Sequence, residues 1–267
     1  MKNIWQDLPR PFFVLAPMED VTDTVFRRLI ADCGRPDLFF TEFTSVEGLE
    51  SVGRAKVIHR LRYTEEERPL IAQIWGITPE NYFESAKLAR EMGFDGLDIN
   101  MGCPVPKIIK QGACSALITN PSLAGEIIAA AKEGAGDMPV SVKTRIGFNE
   151  VNTEEWTGFL LEQGIAALSV HGRTVKQMSK VDANWDEIAK VAKLRNQMNI
   201  TTPVIGNGDV ASYQQGLDFV EKYGVDGIMI GRGVFQNPWI FNPDKDIESV
   251  TLLERLQLMQ KHVQMFQ

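Results

Sequence analysis

One cysteine in a glycine- and proline-rich loop is well placed to do chemistry. Cys103 lies within residues 100–106, which read Asn-Met-Gly-Cys-Pro-Val-Pro, directly after an apolar strand pattern at 96–99. Barrel enzymes carry reactive groups in the loops after buried parallel strands. A thiol with Asn100 before it and Lys107 after it is placed to give or take a proton. Taken alone, the residue could equally be a small buried cysteine that packs a turn.

Further candidate site residues follow other apolar runs, each where a strand would end. They are Ala16, Pro17, Met18, Gln73, Lys143, His171, Arg173, Asn207, Gly208, Asp209, Gly231 and Arg232. A lysine buried at the position of Lys143 needs an anionic partner, because an unpaired buried charge is costly. His171 could be a base, a hydrogen-bond donor or a satisfied core residue, and the adjoining Gly-Arg-Thr favours a functional role.

Two glycine-rich turns follow the last two predicted strands, at residues 206–208 and 231–233. Glycine lets a backbone approach a phosphate and direct its N–H groups at it. Arg232 can add charge-assisted hydrogen bonds. The two turns together indicate a cofactor that carries a phosphate.

Short apolar runs alternate with amphipathic segments along most of the chain. The predicted strands are residues 12–16, 38–42, 70–74, 96–100, 140–143, 166–171, 204–206 and 227–230, and the clearest predicted helices are 79–92, 121–132, 153–163 and 186–199. Thr78 and Asn120 each precede a proline and read as helix caps. Eight strand–helix units predict an α/β fold, a (β/α)8 TIM barrel. A doubly wound parallel sheet is the alternative.

The tail has a different pattern from the barrel units. We assign residues 1–243 to the barrel and 244–267 to a polar linker and a helix, with helical spacing over 249–267. Because the pattern stops without a cap or turn signal, it predicts the start of a small C-terminal helical domain that is incomplete here. A terminal barrel helix is the alternative.

Composition indicates a soluble, cytoplasmic protein. The 267 residues include three cysteines, too few for a disulfide scaffold and typical of a reducing compartment, and the sequence shows no signal peptide and no apolar run of membrane-spanning length. No histidine has a partner at zinc-ligand spacing, so we predict no metal site. The net charge of −7 does not suggest nucleic acid, although local basic pairs at 27–28 and at Lys107 and Lys110 could form a basic face or ordinary surface. The acidic run at 65–67 reads as a solvated loop.

The motifs, taken together, resemble those of the tRNA-dihydrouridine synthases, flavoenzymes that reduce uridines in tRNA. The similarity runs from about residue 13 to 241 and rests on Leu-Ala-Pro-Met at 15–18, Asp-Ile-Asn-Met-Gly-Cys-Pro at 98–104 with Lys107, Val-Lys-Thr-Arg at 142–145, His-Gly-Arg-Thr at 171–174, Gly-Asn-Gly-Asp at 206–209 and Ile-Gly-Arg-Gly at 230–233. Six matches in the same order are highly specific, whereas any single one would not be.

The resemblance implies FMN at the carboxyl end of the barrel. Ala16, Pro17 and Met18 would form its apolar contact, with Pro17 and Met18 against the ring. Gln73, Lys143 and His171 would bond the ring's polar edge. The ribityl phosphate would contact Asn207, Gly208, Asp209, Gly231 and Arg232.

The resemblance also implies a reaction and a macromolecular substrate. NADPH, or NADH, would reduce the flavin, hydride would pass to C6 of a flipped-out uracil, and Cys103 would protonate C5 with a thiol of ordinary pKa. Asn100, Lys107 and Arg173 would contact the substrate, which is tRNA, and the protein would act as a monomer. The residues do not indicate which uridine is reduced.

Two departures from the family pattern concern small positions. Cys114 takes the place of a small residue after the thiol loop, and Met178 follows Gln177 where an aromatic residue is common. Two other functions stay open at this point. One is an FMN-dependent small-molecule oxidoreductase of dihydroorotate-dehydrogenase or ene-reductase type, and the other is a non-catalytic tRNA-binding chaperone.

Overall fold

Strands and helices alternate along residues 3–266, the part of the chain that the computed structural model describes. The strands are β1 (Phe12–Leu15), β2 (Phe39–Phe40), β3 (Thr44–Ser45), β4 (Leu70–Trp75), β5 (Gly96–Met101), β6 (Val140–Arg145), β7 (Leu168–His171), β8 (Val204–Asn207) and β9 (Gly227–Ile230). The α-helices are α1 (Ile4–Asp7), α2 (Thr24–Cys33), α3 (Val46–Leu49), α4 (Pro79–Glu91), α5 (Pro106–Ile109), α6 (Pro121–Ala135), α7 (Thr153–Glu162), α8 (Trp185–Gln197), α9 (Tyr213–Tyr223), α10 (Gly233–Gln236) and α11 (Leu252–Met265). Short 3₁₀ helices occur at Arg54–Lys56, Ile58–Leu61, Glu65–Glu67, Cys114–Thr119 and Ile247–Ser249.

The strands form a parallel barrel. The order in the sheet is β1-β9-β8-β7-β6-β5-β4-β2, and β3 pairs with the end of β4. A parallel bridge between Val14 and Leu38 joins β1 to the start of β2 and closes the ring. The predicted (β/α)8 barrel is therefore confirmed, with the second strand split in two.

The split of the second strand has a local cause. We predicted one strand over 38–42, but regular pairing stops after Phe40. At Thr41 the side chain replaces the backbone as hydrogen-bond partner, since Gln73 N–H donates to its hydroxyl over 3.1 Å. The same hydroxyl donates to the carbonyl of Glu42 over 2.8 Å. Pairing with β4 resumes only at Thr44.

Alternation along each strand decides which residues enter the barrel. Successive side chains of a strand point to opposite faces, so residues two apart share a face. The lower interior is apolar, and a single buried cluster there includes Trp5, Phe12, Val14, Phe40, Ile71, Ile205 and Met229. Continuing the same face toward the carboxyl ends brings Gln73, Asn100, Lys143, His171 and Asn207. The other face of each strand packs against the helices.

The predicted helices are present, with small shifts at their ends. Asn120 caps α6 as predicted, because its side chain accepts from Leu123 N–H over 3.3 Å. Thr78 occupies the cap position of α4 but makes no side-chain cap bond. No helix within residues 3–266 is both long and apolar enough to cross a membrane.

The predicted tail helix is also present, as α11. It starts with a capping box in which Thr251 and Glu254 bond to each other's backbone. Lys261 pairs with Asp32 of α2 over 2.8 Å. The apolar side chains of α11 face away from the barrel, with exposures between 52% and 73% at Leu252, Leu253, Leu256, Met259, Val263 and Phe266. The division between barrel and tail at residue 243 stays a prediction.

Two surface predictions were wrong because the charges concerned pair inside the protein. Arg27 and Glu67 are both fully buried and joined by an ion pair of 2.5 Å. Arg27 also donates to the carbonyls of Thr22 and Arg62. Arg27 is therefore not part of a basic face, and Glu67 does not belong to a solvated loop.

Candidate active site

A cavity of about 680 Å³ opens at the carboxyl ends of the strands. Ten of the eleven residues predicted to hold a cofactor line it, namely Ala16, Pro17, Met18, Lys143, His171, Asn207, Gly208, Asp209, Gly231 and Arg232. Arg173, which we predicted to contact the substrate, lines the same cavity. Its volume falls in the range of sites for small molecules and cofactors.

The wall of this cavity carries an excess of positive charge. Among the residues 3–266, four cationic side chains line it, and they face a single carboxylate, that of Asp209. Ala16, Pro17, Met18 and Met229 supply an apolar part of the wall. An apolar wall beside unbalanced positive charge suits a ligand with a flat apolar body and an anionic end.

Lys143 is the least compensated of these charges. It lies partly buried on β6 and makes no hydrogen bond or ion pair with any residue between 3 and 266. Burial lowers its pKa to about 8, Arg145 lowers it further, and Asp98 and Cys103 act in the opposite direction. An anionic ligand would raise this pKa again, because opposite charge favours the protonated amine.

Arg145 also lines the cavity, and our sequence analysis did not assign it to the site. It is 6% exposed and donates to three backbone carbonyls, from Nε to Gly102 over 2.7 Å and from Nη1 to Thr174 and Met178 over 3.2 and 3.1 Å. Burial lowers its pKa to about 10. Alternation would have found it, because Arg145 lies two residues after Lys143 on the same strand face.

His171 is held as a neutral ring by its surroundings. Burial and the nearby cations Arg145, Lys143, Arg173 and Arg232 lower its pKa well below the usual value. Arg173 lies with Nη1 at 3.1 Å from His171 Nε2. A guanidinium can only donate, so Nε2 accepts and the ring proton sits on Nδ1. His171 therefore offers a neutral N–H donor.

The turn after β8 is fixed by charge and by close packing. Asp209 accepts from Arg173 and from Ala183 N–H, and Arg232 lies 3.6 Å away. Burial would raise the pKa of Asp209, but these bonds hold it below its ordinary value. Gly208 has φ +134°, and a Cβ there would lie 2.5 Å from Ala183. Asn207 ties the turn to β9 by donating to the carbonyl of Met229 over 2.8 Å.

Beneath the thiol loop runs a buried chain of amides. Asn100 Oδ1 accepts from the N–H groups of Gly102 and Cys103, both over 3.0 Å. Its Nδ2 must then donate to Gln73 Oε1 at 3.0 Å, and Gln73 Nε2 donates to Asp98 over 2.7 Å. Burial raises the pKa of Asp98 to about 6.

This chain changes the place of two predicted residues. Gln73 is fully buried and lies outside the cavity wall, where we had expected it to touch the cofactor. Its amide supports Asn100 instead. Asn100 in turn uses its oxygen to shape the loop, and only part of its amide is left for a ligand.

Cys103 lies beside the cavity in a small apolar cluster. It is 9% exposed and packs with Phe43, Ile108 and Cys114. A hydrogen bond from Cys114 lowers its pKa, burial opposes this, and the result is about 7. The expectation of an ordinary thiol pKa was therefore wrong, since about half of such a thiol is ionised at neutral pH. Lys107 is exposed on α5, outside the cavity wall.

Comparison with known proteins identifies the family. A family model described as dihydrouridine synthase matches residues 14–267. The chain belongs to the dihydrouridine synthase family. It is therefore an enzyme, an oxidoreductase, as the motifs had indicated.

Curated relatives agree with this assignment. The chain is 52% identical over 260 residues to a probable tRNA-dihydrouridine synthase 2 of Bacillus subtilis (strain 168), which covers 96% of the chain and 79% of the relative. It is 48% identical over 267 residues to a probable tRNA-dihydrouridine synthase of Staphylococcus aureus (strain MRSA252), covering 99% and 80%.

Solved structures with the same fold are more distant in sequence. Morphinone reductase aligns with a TM-score of 0.61 at 12% identity, over 88% of this chain and 86% of that one. An old yellow enzyme homologue from Zymomonas mobilis aligns with a TM-score of 0.60 at 13% identity, over 85% and 86%. At these identities the likeness shows the barrel fold alone.

Proposed function

We propose that this synthase binds FMN in the cavity and reduces uridines of tRNA to dihydrouridine with NADPH or NADH. The observation that carries the proposal is the cavity wall, with four cationic side chains, one carboxylate and an apolar patch, next to a thiol of lowered pKa. The names of the curated relatives support tRNA as the substrate.

The residues present fit FMN. Its phosphate would lie against Arg232 and the turn at Gly208, where positive charge is concentrated and backbone approach is close. The ring would contact Pro17 and Met18. Lys143 would face the ring's polar edge, where its free ammonium group would stabilise negative charge.

FMN, once reduced by the nicotinamide cofactor, would supply the hydride for C6 of the uracil. Cys103 would supply the proton for C5. A pKa of about 7 makes this thiol a better acid than ordinary cysteine, and half of it is still protonated at neutral pH. Asn100 and Gln73 hold the loop so that the sulfur keeps its position.

The substrate must be extruded from its stack to reach a buried thiol. Lys107 is exposed four residues beyond Cys103 and would contact the phosphates around the extruded nucleotide. Arg173 is bonded to Asp209 and His171, so we reassign it to the cofactor cavity. We infer that the enzyme works in the cytoplasm, where tRNA is modified.

The test has two steps. Titration of the protein with FMN and with riboflavin should show much tighter binding of FMN, since only FMN carries the phosphate. Incubation with FMN, NADPH and unmodified tRNA should then give a mass gain of two hydrogens on uridine. NADPH oxidation without that gain would contradict tRNA as the substrate and favour a small-molecule oxidoreductase.

A further inference from the structure

Two thiols meet beside the candidate active site. Cys103 and Cys114 are eleven positions apart in the sequence but lie in the same buried cluster, with Cys114 fully buried. The two side chains are in hydrogen-bond contact. The proposed function uses the first thiol and leaves the second without a role.

The segments that carry the two sulfurs are tied together. Ser115, next to Cys114, donates from Oγ to the backbone carbonyl of Cys103 over 2.7 Å. The N–H of Cys103 also faces the sulfur of Cys114. These bonds fix one loop against the other, so the contact between the thiols does not depend on side-chain rotation alone.

The backbone at Cys114 would suit a different residue. Its φ is +54°, in the left-handed region that glycine adopts most readily. The chain keeps a side chain there, in full contact with the active-site loop. A residue retained against local backbone preference calls for a contribution from its side chain.

We infer that Cys114 is a positioning residue for Cys103. Its S–H holds the Cys103 sulfur in place and donates a hydrogen bond to the thiolate that remains after proton transfer. This rests on the proposed role of Cys103 as the acid. In that step the S–H bond of Cys103 breaks, a C–H bond forms at C5, and the negative charge stays on Cys103 Sγ. A proton from solvent then restores the thiol.

The groups around Cys103 are consistent with this division of labour. Glu19 opposes ionisation of Cys103, while Arg145 and the N–H of Val105 favour it, and Lys143 lies within electrostatic range. The bond from Cys114 is the largest cause of the lowered pKa.

Cys114 itself stays protonated, and therefore remains a donor. Complete burial raises its pKa well above the ordinary value, and Cys103 and Glu19 raise it further. Tyr82 lies close to Cys114 and is likewise kept neutral by burial. The donor is thus available over the whole pH range in which the acid works.

The first test measures ionisation of Cys103 directly. The FMN-loaded protein is treated with iodoacetamide at a series of pH values, and alkylation of residue 103 is followed by peptide mass spectrometry. The wild type should show an inflection near pH 7. Cys114→Ala and Cys114→Gly should move it upward by at least about one unit, and Cys114→Ser, which keeps a donor, by less than half as much.

The glycine variant separates the electrostatic role from folding, because glycine suits the backbone at 114. Unchanged inflections in Cys114→Ala and Cys114→Gly would overturn the inference, as would a serine variant that shifts as far as alanine. Alkylation requires neither tRNA nor NADPH. Failure of the proposed function would therefore appear as missing dihydrouridine, independently of the alkylation profile.

A second readout links the pair to turnover. In Cys114→Gly the pH at which uridine reduction is half lost should rise with the alkylation inflection, since a weaker acid stays protonated longer. The maximal rate should fall for the same reason. A rate that falls with no movement of the pH profile would show that Cys114 is a packing residue only.

Discussion

The Nε of Arg145 donates a hydrogen bond of 2.7 Å to the carbonyl oxygen of Gly102. Gly102 precedes Cys103, and Arg145 lines the cavity that we propose holds FMN. One buried side chain therefore connects the cofactor site to the thiol loop. A ligand that pulls on this guanidinium would act on the acid through a single backbone step.

Arg145→Lys should weaken the site although it keeps the charge. A lysine cannot reproduce the planar fork that reaches Gly102, Thr174 and Met178. Loss of such charge-assisted bonds costs on the order of 1.5–3 kcal/mol each, so we expect the FMN dissociation constant to rise about 10- to 100-fold. Flavin fluorescence titration measures it.

Arg195→Lys is the matched control for that experiment. Arg195 is also buried and bonds to Thr202 and Asp226, near the amino ends of the strands. It should lower the melting temperature and leave FMN affinity unchanged. Equal losses of FMN affinity in both variants would mean that the effect is on folding alone.

Asn100→Ala should slow uridine reduction and spare the cofactor. The change removes the acceptor of two backbone N–H groups in the thiol loop. We expect a loss of about 10- to 100-fold in single-turnover reduction, the scale of a misplaced acid, with FMN affinity within about twofold. Asn120→Ala, which removes only a helix cap, should change stability and not rate. An unaffected Asn100→Ala enzyme would contradict the role assigned to this amide.

The pH dependence of uridine reduction should have a falling limb near 7. Cys103 acts as an acid in its protonated form, and its pKa is lowered to about 7. The protonated fraction, and with it the rate, is therefore high below pH 6 and is lost as pH rises through 7. Single-turnover reduction of tRNA by pre-reduced enzyme measures this. Flavin reduction by NADPH, which needs no thiol, is the control, and a rate that rises through pH 7 would refute the assignment.

The buried pair of Arg27 and Glu67 should dominate local stability. Arg27→Met leaves an unpaired buried carboxylate, which costs about 3–5 kcal/mol of unfolding free energy. Arg28→Met is the matched control, because Arg28 pairs with Glu66 at the surface over 3.6 Å and its loss should cost at most about 0.5 kcal/mol. Urea denaturation compares the two. Similar losses would show that burial of the pair is incomplete.

Sequence alone predicted the barrel because its strands are buried on both faces and end at recognisable motifs. It also predicted most of the cavity wall, since Lys143, His171 and Asn207 each mark a strand end. Arg145 could have been added by alternation from Lys143. The missing step was to follow each strand face and not only its last residue.

Other features depend on partners that no spacing reveals. Gln73 is drawn into the interior by Asp98 on the next strand, and Arg27 by Glu67, forty positions later in the sequence. The lowered pKa of Cys103 depends on Cys114, which meets it only in the folded chain. Pairings of this kind follow from the three-dimensional arrangement and not from local pattern.

The most direct measurement compares dihydrouridine formation by three proteins. Wild type, Cys103→Ala and Cys33→Ala are each given FMN, NADPH and unmodified tRNA, and uridine is monitored for a gain of two hydrogens. Cys33 is buried in α2 and serves as the control cysteine. We predict that Cys33→Ala matches the wild type. Cys103→Ala should bind FMN and oxidise NADPH but lose about 100-fold or more in product, the usual scale of a general acid. Dihydrouridine formed at the wild-type rate by Cys103→Ala would contradict the account.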